Sequence, residues 1–317
     1  MRIIINKSLQ RLLMVSAALL LVACSSVPTA PVANAPAVEE KPSASLPPAG
    51  RPPERRTPRL GLALGGGAAR GFAHVGVIQV LEEAGLAPQL VAGTSAGSLV
   101  AALYASGRTP QELRRIADTM EEAEITDWML PILNRGALRG EALARYVNTQ
   151  VGGKPIEQMK IPLGIVATDL RTGEAVTFRR GNTGSAVRAS SAVPAVFQPV
   201  RIGEHEYVDG GLVAPVPVRQ AREMGANFVV AVDISSDPEG NPAGDTFQIL
   251  LQTFAIMGKS INQLALKDAD MVVRPPLSGV KSADFSARRR SIEAGRVAML
   301  AALPQLKARL AAFERGE

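Results

Sequence analysis

The sequence predicts an α/β domain, a mostly parallel sheet with helices on both faces. Three observations carry this. From residue 59 onward, short apolar stretches alternate with helical ones, the order of successive β-α-β units. The stretches "PQLVAG", "PLGIVATDL" and "NFVVAVDIS" are apolar almost throughout rather than at every second residue, as strands covered on both faces are. Hydrophobic residues make up 46% of the 317 but aromatic ones only 4%. Small aliphatic side chains must therefore fill the core, and these let helices lie close on a sheet.

The chain opens differently. Arg2, Lys7 and Arg11 precede the apolar run "LLMVSAALLLVA" at 12–23, too short for an ordinary membrane span and suited to a signal-peptide core. The run ends in "LVAC", and Cys24 is the only cysteine, so no intrachain disulfide can form. The stretch resembles a bacterial lipobox. That resemblance implies a signal peptide over 1–23, a lipid on Cys24 and, with Ser25 rather than Asp following, sorting to the periplasmic face of the outer membrane. An uncleaved anchor, or a cytosolic protein with a chance apolar start, is the competing reading. Residues 25–58 are dominated by Pro, Ala and Ser, with no periodic large apolar residue, and read as a semi-stiff tether. Domain boundaries follow: leader 1–23, lipidated cysteine and tether 24–58, folded domain 59–317, its core about 60–235 and a C-terminal helical part 236–317.

The formal charge of +6 includes the leader; without its three basic residues, 32 of the 35 remain against 29 acidic. The clusters "RRR" at 288–290 and "RPPERR" at 51–56 have no aromatics between them and read as solvated patches, not a nucleic-acid surface.

Within the domain, "RLGLALG" reads as a strand, and "ARGFAHVGVIQVLEEAG" as a helix apolar on most faces, hence buried. "PQLVAG" is a second strand, followed by "GTSAG" and a helix from about 97 to 106. Thr109 and Pro110 suit the N-cap and first position of the next helix. "RGEALARYVNTQ" is amphipathic, "GEAVTFRRG" an exposed strand, and "NTGSAVRASSAVP" a helix ending before Pro194. In "DTFQILLQTFAIMGKSINQLAL" the apolar positions Phe247, Phe254 and Ile261 recur, with Leu250, Met257 and Leu264 between them. A core-facing or capping helix is expected, with a membrane-touching face as the alternative.

Three glycine-bearing segments carry chemistry. In "GTSAG", Ser95 sits between Gly93 and Gly97 at a strand-to-helix elbow, where bulky neighbours would collide and where helix amides face developing negative charge. Ser95 is a nucleophile or a small residue in a tight turn. A serine nucleophile needs a base, and the chain has two histidines, His74 and His205. A Ser, acid, His triad in that order with Asp209 as its acid is excluded, because no histidine follows it. His74 reads as structural and His205 as exposed. Asp209, in "VDGG" with Gly210 and Gly211, is either a base raised in pKa by burial or a turn-filling acid. In "GGGAARG", glycines between a strand and a helix offer bare N–H groups. The spacing does not match a dinucleotide fingerprint, and the next strand lacks the ribose-binding acid. An oxyanion hole with Gly66 and Gly67 as donors fits better, with Gly65 and Gly71 framing the loop and Arg70 fixing it or meeting a phosphate.

Together "LALGGGAARGFAHVGVIQVLEEAG", "GTSAG", "ATDLRTGEAVTFRRG", "RASSAVPAVFQPV" and "YVDGGLVAPVPV" resemble the patatin-like phospholipase family, most closely its bacterial RssA-type members, over about 60–235. The resemblance implies a three-layer α/β/α sandwich with C-terminal helices packed on it. It implies a Ser95–Asp209 dyad without histidine, oxyanion donation from the Gly66–Gly67 loop, and neither metal nor cofactor. Ala68 stands where plant-type members have a third glycine. The implied activity is lipid acyl hydrolysis of the phospholipase A or lysophospholipase type, on phospholipids or other acyl esters. A non-enzymatic lipid-binding envelope scaffold and an esterase for small soluble esters are the alternatives. Trp128 and Met129, in a lid-like stretch 118–136, are candidates for setting chain length, with core packing as the alternative for Trp128.

Overall fold

A computed structural model describes residues 56–127, 136–239, 244–281 and 284–317. The leader, Cys24, most of the tether, Trp128 and Met129 lie outside the described residues. In chain order the elements are β1 (Leu60–Leu64), α1 (Ala73–Glu83), β2 (Leu90–Thr94), α2 (Ala96–Ala105), α3 (Pro110–Thr119), α4 (Glu122–Ile125), β3 (Gly136–Leu138), α5 (Glu141–Gln150), β4 (Leu163–Asp169) and β5 (Ala175–Phe178). There follow α6 (Thr183–Ser190), β6 (Ala195–Phe197), β7 (Val200–Ile202), β8 (His205–Asp209), α7 (Val218–Glu223), β9 (Phe228–Val232), α8 (Thr246–Ala265), β10 (Met271–Val273) and α9 (Arg288–Arg315).

The main sheet has the order β10-β9-β1-β2-β4-β8-β7, with β5 also paired to β4, and β3 and β6 form a separate ribbon. The strands from β10 to β4 are parallel. The β4–β8, β8–β7 and β4–β5 pairings are antiparallel. The sheet is thus mixed, with its parallel half as expected and an antiparallel margin. That margin matters, because an antiparallel β8 turns Asp209 back toward the C-terminal edge of the parallel strands.

Alternation along the strands sorts the core into two unequal layers. Leu60, Leu62 and Leu64 of β1 and Phe228, Val230 and Val232 of β9 join α1, α2, α3 and α9 on one face. Ala63, Val229 and Ala231 face α7 on the other, with Val216, Val218, Ala221 and Met224. The second layer is thin because its strand residues are small. Even Gly61 is tight there, since a Cβ on it would lie 2.5 Å from Ala226 Cβ.

Thr109 caps α3 as the sequence suggested, accepting from Glu112 N–H at 3.2 Å while Glu112 answers to Thr109 N–H at 2.8 Å. The glycine-rich loop differs slightly from expectation, since a 3-10 turn over Ala68–Phe72 precedes α1. The C-terminal helix α9 belongs to the core rather than to an appendage. Ile292, Met299 and Leu306 are fully buried, and α9 crosses α1 where Gly76 faces Ile292 and Gly295 faces Ala73. A Cβ on Gly76 would collide with Ile292 O and sit 2.6 Å from Arg296 N, and one on Gly295 would collide with Ala73 O. Arg56 N–H donates to Glu314 O at 3.1 Å, so the first described residue lies beside the end of α9. No described helix is long and apolar enough to cross a membrane.

Overpacking of this crossing is the expected result of Gly295→Ala. It should lower unfolding stability by about 1–3 kcal/mol, read as a lower urea midpoint with an unchanged slope.

Candidate active site

Ser95 occupies the single step between β2 and α2, with φ 53° and ψ −124°. A non-glycine residue holds this conformation only where its surroundings over-determine it. Here they do. Ser95 N–H donates to Ser190 Oγ at 2.8 Å, and Ser190 in turn donates to Val166 O at 2.5 Å. Ser95 O accepts from Ser98 N–H at 2.8 Å and from the Ser98 hydroxyl at 2.6 Å. The elbow can be this sharp because Gly93 and Gly97 touch. A Cβ on Gly93 would lie 2.5 Å from Gly97 O, and one on Gly97 would strike Leu64 O. Serine at a helix N-cap normally turns its hydroxyl onto the helix amides. Ser95 makes no such cap bond, and the residue is only half-buried, so its hydroxyl stays free beside the helix N-terminus.

Asp209 ends β8 and is 6% exposed. Its backbone is pinned from both sides, N–H to Ala192 O at 3.0 Å and O to the Thr168 hydroxyl at 2.8 Å. Gly210 lets the turn lie against β4, where a Cβ would meet Val166 O. Asp209 Oδ1 accepts from Gly211 N–H at 2.6 Å. Oδ2 is buried and has no hydrogen-bond partner. One oxygen of Asp209 therefore fills the turn, and the other is left over. Burial pushes the carboxyl up to about 6, against the opposing pull of the Ser95 hydroxyl and Gly211 N–H. The Ser95 hydroxyl is thus near enough to act on the carboxylate, yet it does not close an ordinary hydrogen bond to Oδ2. Catalytic pairs are often this loose without substrate.

The glycine loop requires a correction. Gly65 N–H donates to Val232 O at 3.0 Å and Gly66 N–H to Pro215 O at 2.9 Å. The expected donor Gly66 is therefore already engaged, held by the segment after Asp209. Gly66 still borders the site, since a Cβ on it would lie 3.2 Å from Ser95 Cβ. The N–H groups of Gly67 and Ala68 have no acceptor among the described residues, and Ala68 is itself at φ 50°. Arg70 is 6% exposed and reaches Gly67 O with Nε at 3.4 Å, which is the loop-fixing arrangement. Burial lowers its pKa, and Asp233 opposes that. Gly71 packs on the start of α2, where a Cβ would lie 2.8 Å from Ala96 Cβ.

Neither histidine is hydrogen-bonded to the serine. His74 is fully buried, with Nε2 2.8 Å from Gly65 O and Nδ1 unpartnered. Burial lowers its pKa to about 4, so it is neutral and donates from Nε2 to the loop. His205 begins β8, about 13 Å along the strand from Asp209, and pairs through Nδ1 with buried Asp169 Oδ2 at 2.6 Å. Sequence reading missed two features. Ser190 holds the elbow, and only its place in the apolar stretch "RASSAVP" hinted at burial. The Asp169–His205 pair is joined across β4 and β8 and has no local signal. Among the described residues no group of three or more His, Cys, Asp or Glu could hold a metal ion.

A family model described as patatin-like phospholipase matches residues 62–222. An uncharacterised NTE family protein of Mycobacterium tuberculosis is 39% identical over 189 residues, covering 59% of this chain and 52% of that protein. The human patatin-like phospholipase domain-containing protein 6 is 32% identical over 231 residues, 70% of this chain and 16% of that one. The chain thus spans about half the length of its mycobacterial relatives. Among solved structures, VipD from Legionella pneumophila superposes with a TM-score of 0.54 at 14% identity, over 79% of this chain and 68% of that one, a likeness of fold.

The buried carboxyl makes a stability prediction. Asp209 would titrate near 3.8 when unfolded and near 6 when folded. The native state then holds its proton more tightly, and this group's contribution to stability falls as pH rises between those values. Asp209→Asn should therefore gain stability relative to the unmodified chain as pH is raised from 4 to 8, by about 1–3 kcal/mol. Thermal melts across that range would show the two curves diverging. Parallel curves would mean that burial does not raise the carboxyl's pKa.

Proposed function

The chain belongs to the patatin-like phospholipase family, and on that footing we propose that it is a serine hydrolase of lipid acyl esters working through Ser95 and Asp209. One observation carries the reading: a serine on a strained elbow whose hydroxyl caps nothing, facing a buried carboxylate with one oxygen unpaired. In the reaction Asp209 accepts the Ser95 proton as Oγ attacks the ester carbonyl. A pKa near 6 makes the carboxylate a better base than a solvated one while leaving it ionised at neutral pH. Negative charge on the carbonyl oxygen falls to the unengaged N–H groups of Gly67 and Ala68 and to the N-terminus of α2. The protonated Asp209 returns its proton to the departing alcohol. Water, deprotonated by Asp209, then cleaves the acyl-serine. His74 and Arg70 act behind this, holding Gly65 O and Gly67 O so that the loop keeps its shape.

The substrates we assign are phospholipids, lysophospholipids or related acyl esters, and the place of action is the cell envelope. There a lipid on Cys24 would hold the enzyme at its substrate's own surface, on the periplasmic face of the outer membrane. A diacyl-plus-amide modification buries enough CH₂ groups, at about 0.8 kcal/mol each, for stable attachment.

On an acyl-ester panel, Ser95→Ala and Asp209→Asn should each lose at least ~10³-fold in kcat, and the double variant little more, because the two act as a unit. In the unmodified enzyme kcat/KM should climb as pH rises through about 6, where Asp209 becomes a base. Full activity in a folded Ser95→Ala protein would end this reading, and turnover of only short soluble esters would remove the phospholipid assignment. Separately, Cys24→Ser should move the protein from the detergent phase to the aqueous phase on partitioning. Unchanged partitioning would discard the lipid anchor.

A further inference from the structure

Helix α8 is rich in apolar residues and yet scarcely buried. Over Thr246–Ala265 its only charged residue is Lys259, and it has no Asp or Glu. Of its residues with described side chains, Asn262 alone is buried, and both side-chain atoms of that amide lack a hydrogen-bond partner. Leu250, Leu251, Phe254 and Ile261 are only half-covered by the domain. On the outer side, Ile249, Ile256, Met257 and Leu264 are 53%, 51%, 48% and 68% exposed. They account for four of the seven large apolar residues exposed among the described residues. At 100° per residue these four, with Thr253 and Ser260, fall within about 100° of arc. The outer stripe is therefore contiguous, apolar or hydroxylic, and free of carboxylate.

Its position gives the stripe a use. Helix α8 rests on the turn Gly210–Leu212 that follows Asp209, and Gly258 abuts Pro215, with a Cβ there 3.7 Å from Pro215 Cγ. Pro215 O is the acceptor that holds Gly66 N–H. Gly258 lies about 150° round the helix from the middle of the stripe, so α8 backs the turn after Asp209 with one face and turns the stripe outward with the other.

We propose that the outer face of α8 is a lipid-docking surface, which lays Ile249, Ile256, Met257 and Leu264 into the glycerol and acyl boundary of a phospholipid membrane. Two features favour a lipid surface over a protein partner or a second copy. A helix without acid meets no repulsion from lipid phosphates, and its one Lys is already paired with Asp237 at 3.1 Å, so attraction is apolar rather than ionic. The chain between Cys24 and Arg56 is 32 steps, at most about 110 Å when extended, so an anchored cysteine would keep α8 within reach of a bilayer. The proposal rests on the reading that the site takes lipid esters, since only a substrate resident in a membrane requires this chain to touch one.

The test is hydrogen–deuterium exchange on the full chain carrying Ser95→Ala, with and without neutral phosphatidylcholine vesicles. Exchange over 249–264 should slow at least ~10-fold on adding vesicles, at low and high salt alike, while α3 stays unchanged. Adding Ile256→Asp and Met257→Asp should abolish that protection. A milder Ile256→Ser with Met257→Ser pair should weaken it, and both pairs lie on the exposed face, where folding does not depend on them. Unchanged exchange over α8, protection that survives the Asp pair, or protection that follows protein concentration without vesicles would each overturn the proposal, the last in favour of a second copy. Hydrolysis of phosphatidylcholine by the unmodified chain is measured in parallel. Hydrolysis without protection sinks the docking surface alone, whereas protection without hydrolysis of any ester sinks the hydrolase reading and leaves the surface standing.

Discussion

The structure turns on a carboxylate placed where water does not reach it. Asp209 has one oxygen tied to its own turn and the other to nothing. Such a group opposes folding when ionised, because an unpaired buried acceptor loses its hydration. The fold holds it there regardless, pinning the backbone at Ala192 and Thr168 and sealing the turn with Gly210. The burial that is unfavourable for stability also raises the carboxyl to about 6, which is what its proposed role as a base requires.

The segment from Asp209 to Pro215 is correspondingly a hub. The Thr94 hydroxyl, just before the serine, donates to Ala214 O at 2.8 Å. Gly66, at the loop, donates to Pro215 O. Three pieces of chain distant in sequence thus share one short connection, and a shift of that connection displaces Ser95, Asp209 and the glycine loop together.

How much of this could be read beforehand depended on how local each signal was. The elbow was legible because Gly93, Ser95 and Gly97 are close in sequence and follow an apolar strand. Asp209 was legible as a carboxylate on a glycine turn, and the lack of any histidine after it ruled it out as the acid of a Ser, acid, His triad in that order. The donor amides were not legible, since Gly66 is taken by a carbonyl 149 residues away. The helix α9 gave only a vague C-terminal expectation, because its contact with α1 depends on two glycines, Gly76 and Gly295, that no periodicity advertises. The apolar positions of α8 were read correctly as a pattern, but a pattern does not say which side of a helix meets protein. Met257 and Leu264, grouped in sequence with core-facing positions, point outward.

The bond from Arg56 to Glu314 has a geometric consequence. It sets the root of the leader-proximal chain near the start of β1, whereas Ser95 follows the far end of the neighbouring parallel strand. A leash fixed at that pole would present the wrong hemisphere to the surface it is fastened to. Under the lipid anchor proposed for Cys24, a domain about 45 Å across needs roughly 70 Å of chain round its flank before the Ser95 edge can face the anchoring bilayer. The 32 steps from Cys24 to Arg56 span at most about 110 Å, and half of them would fall short.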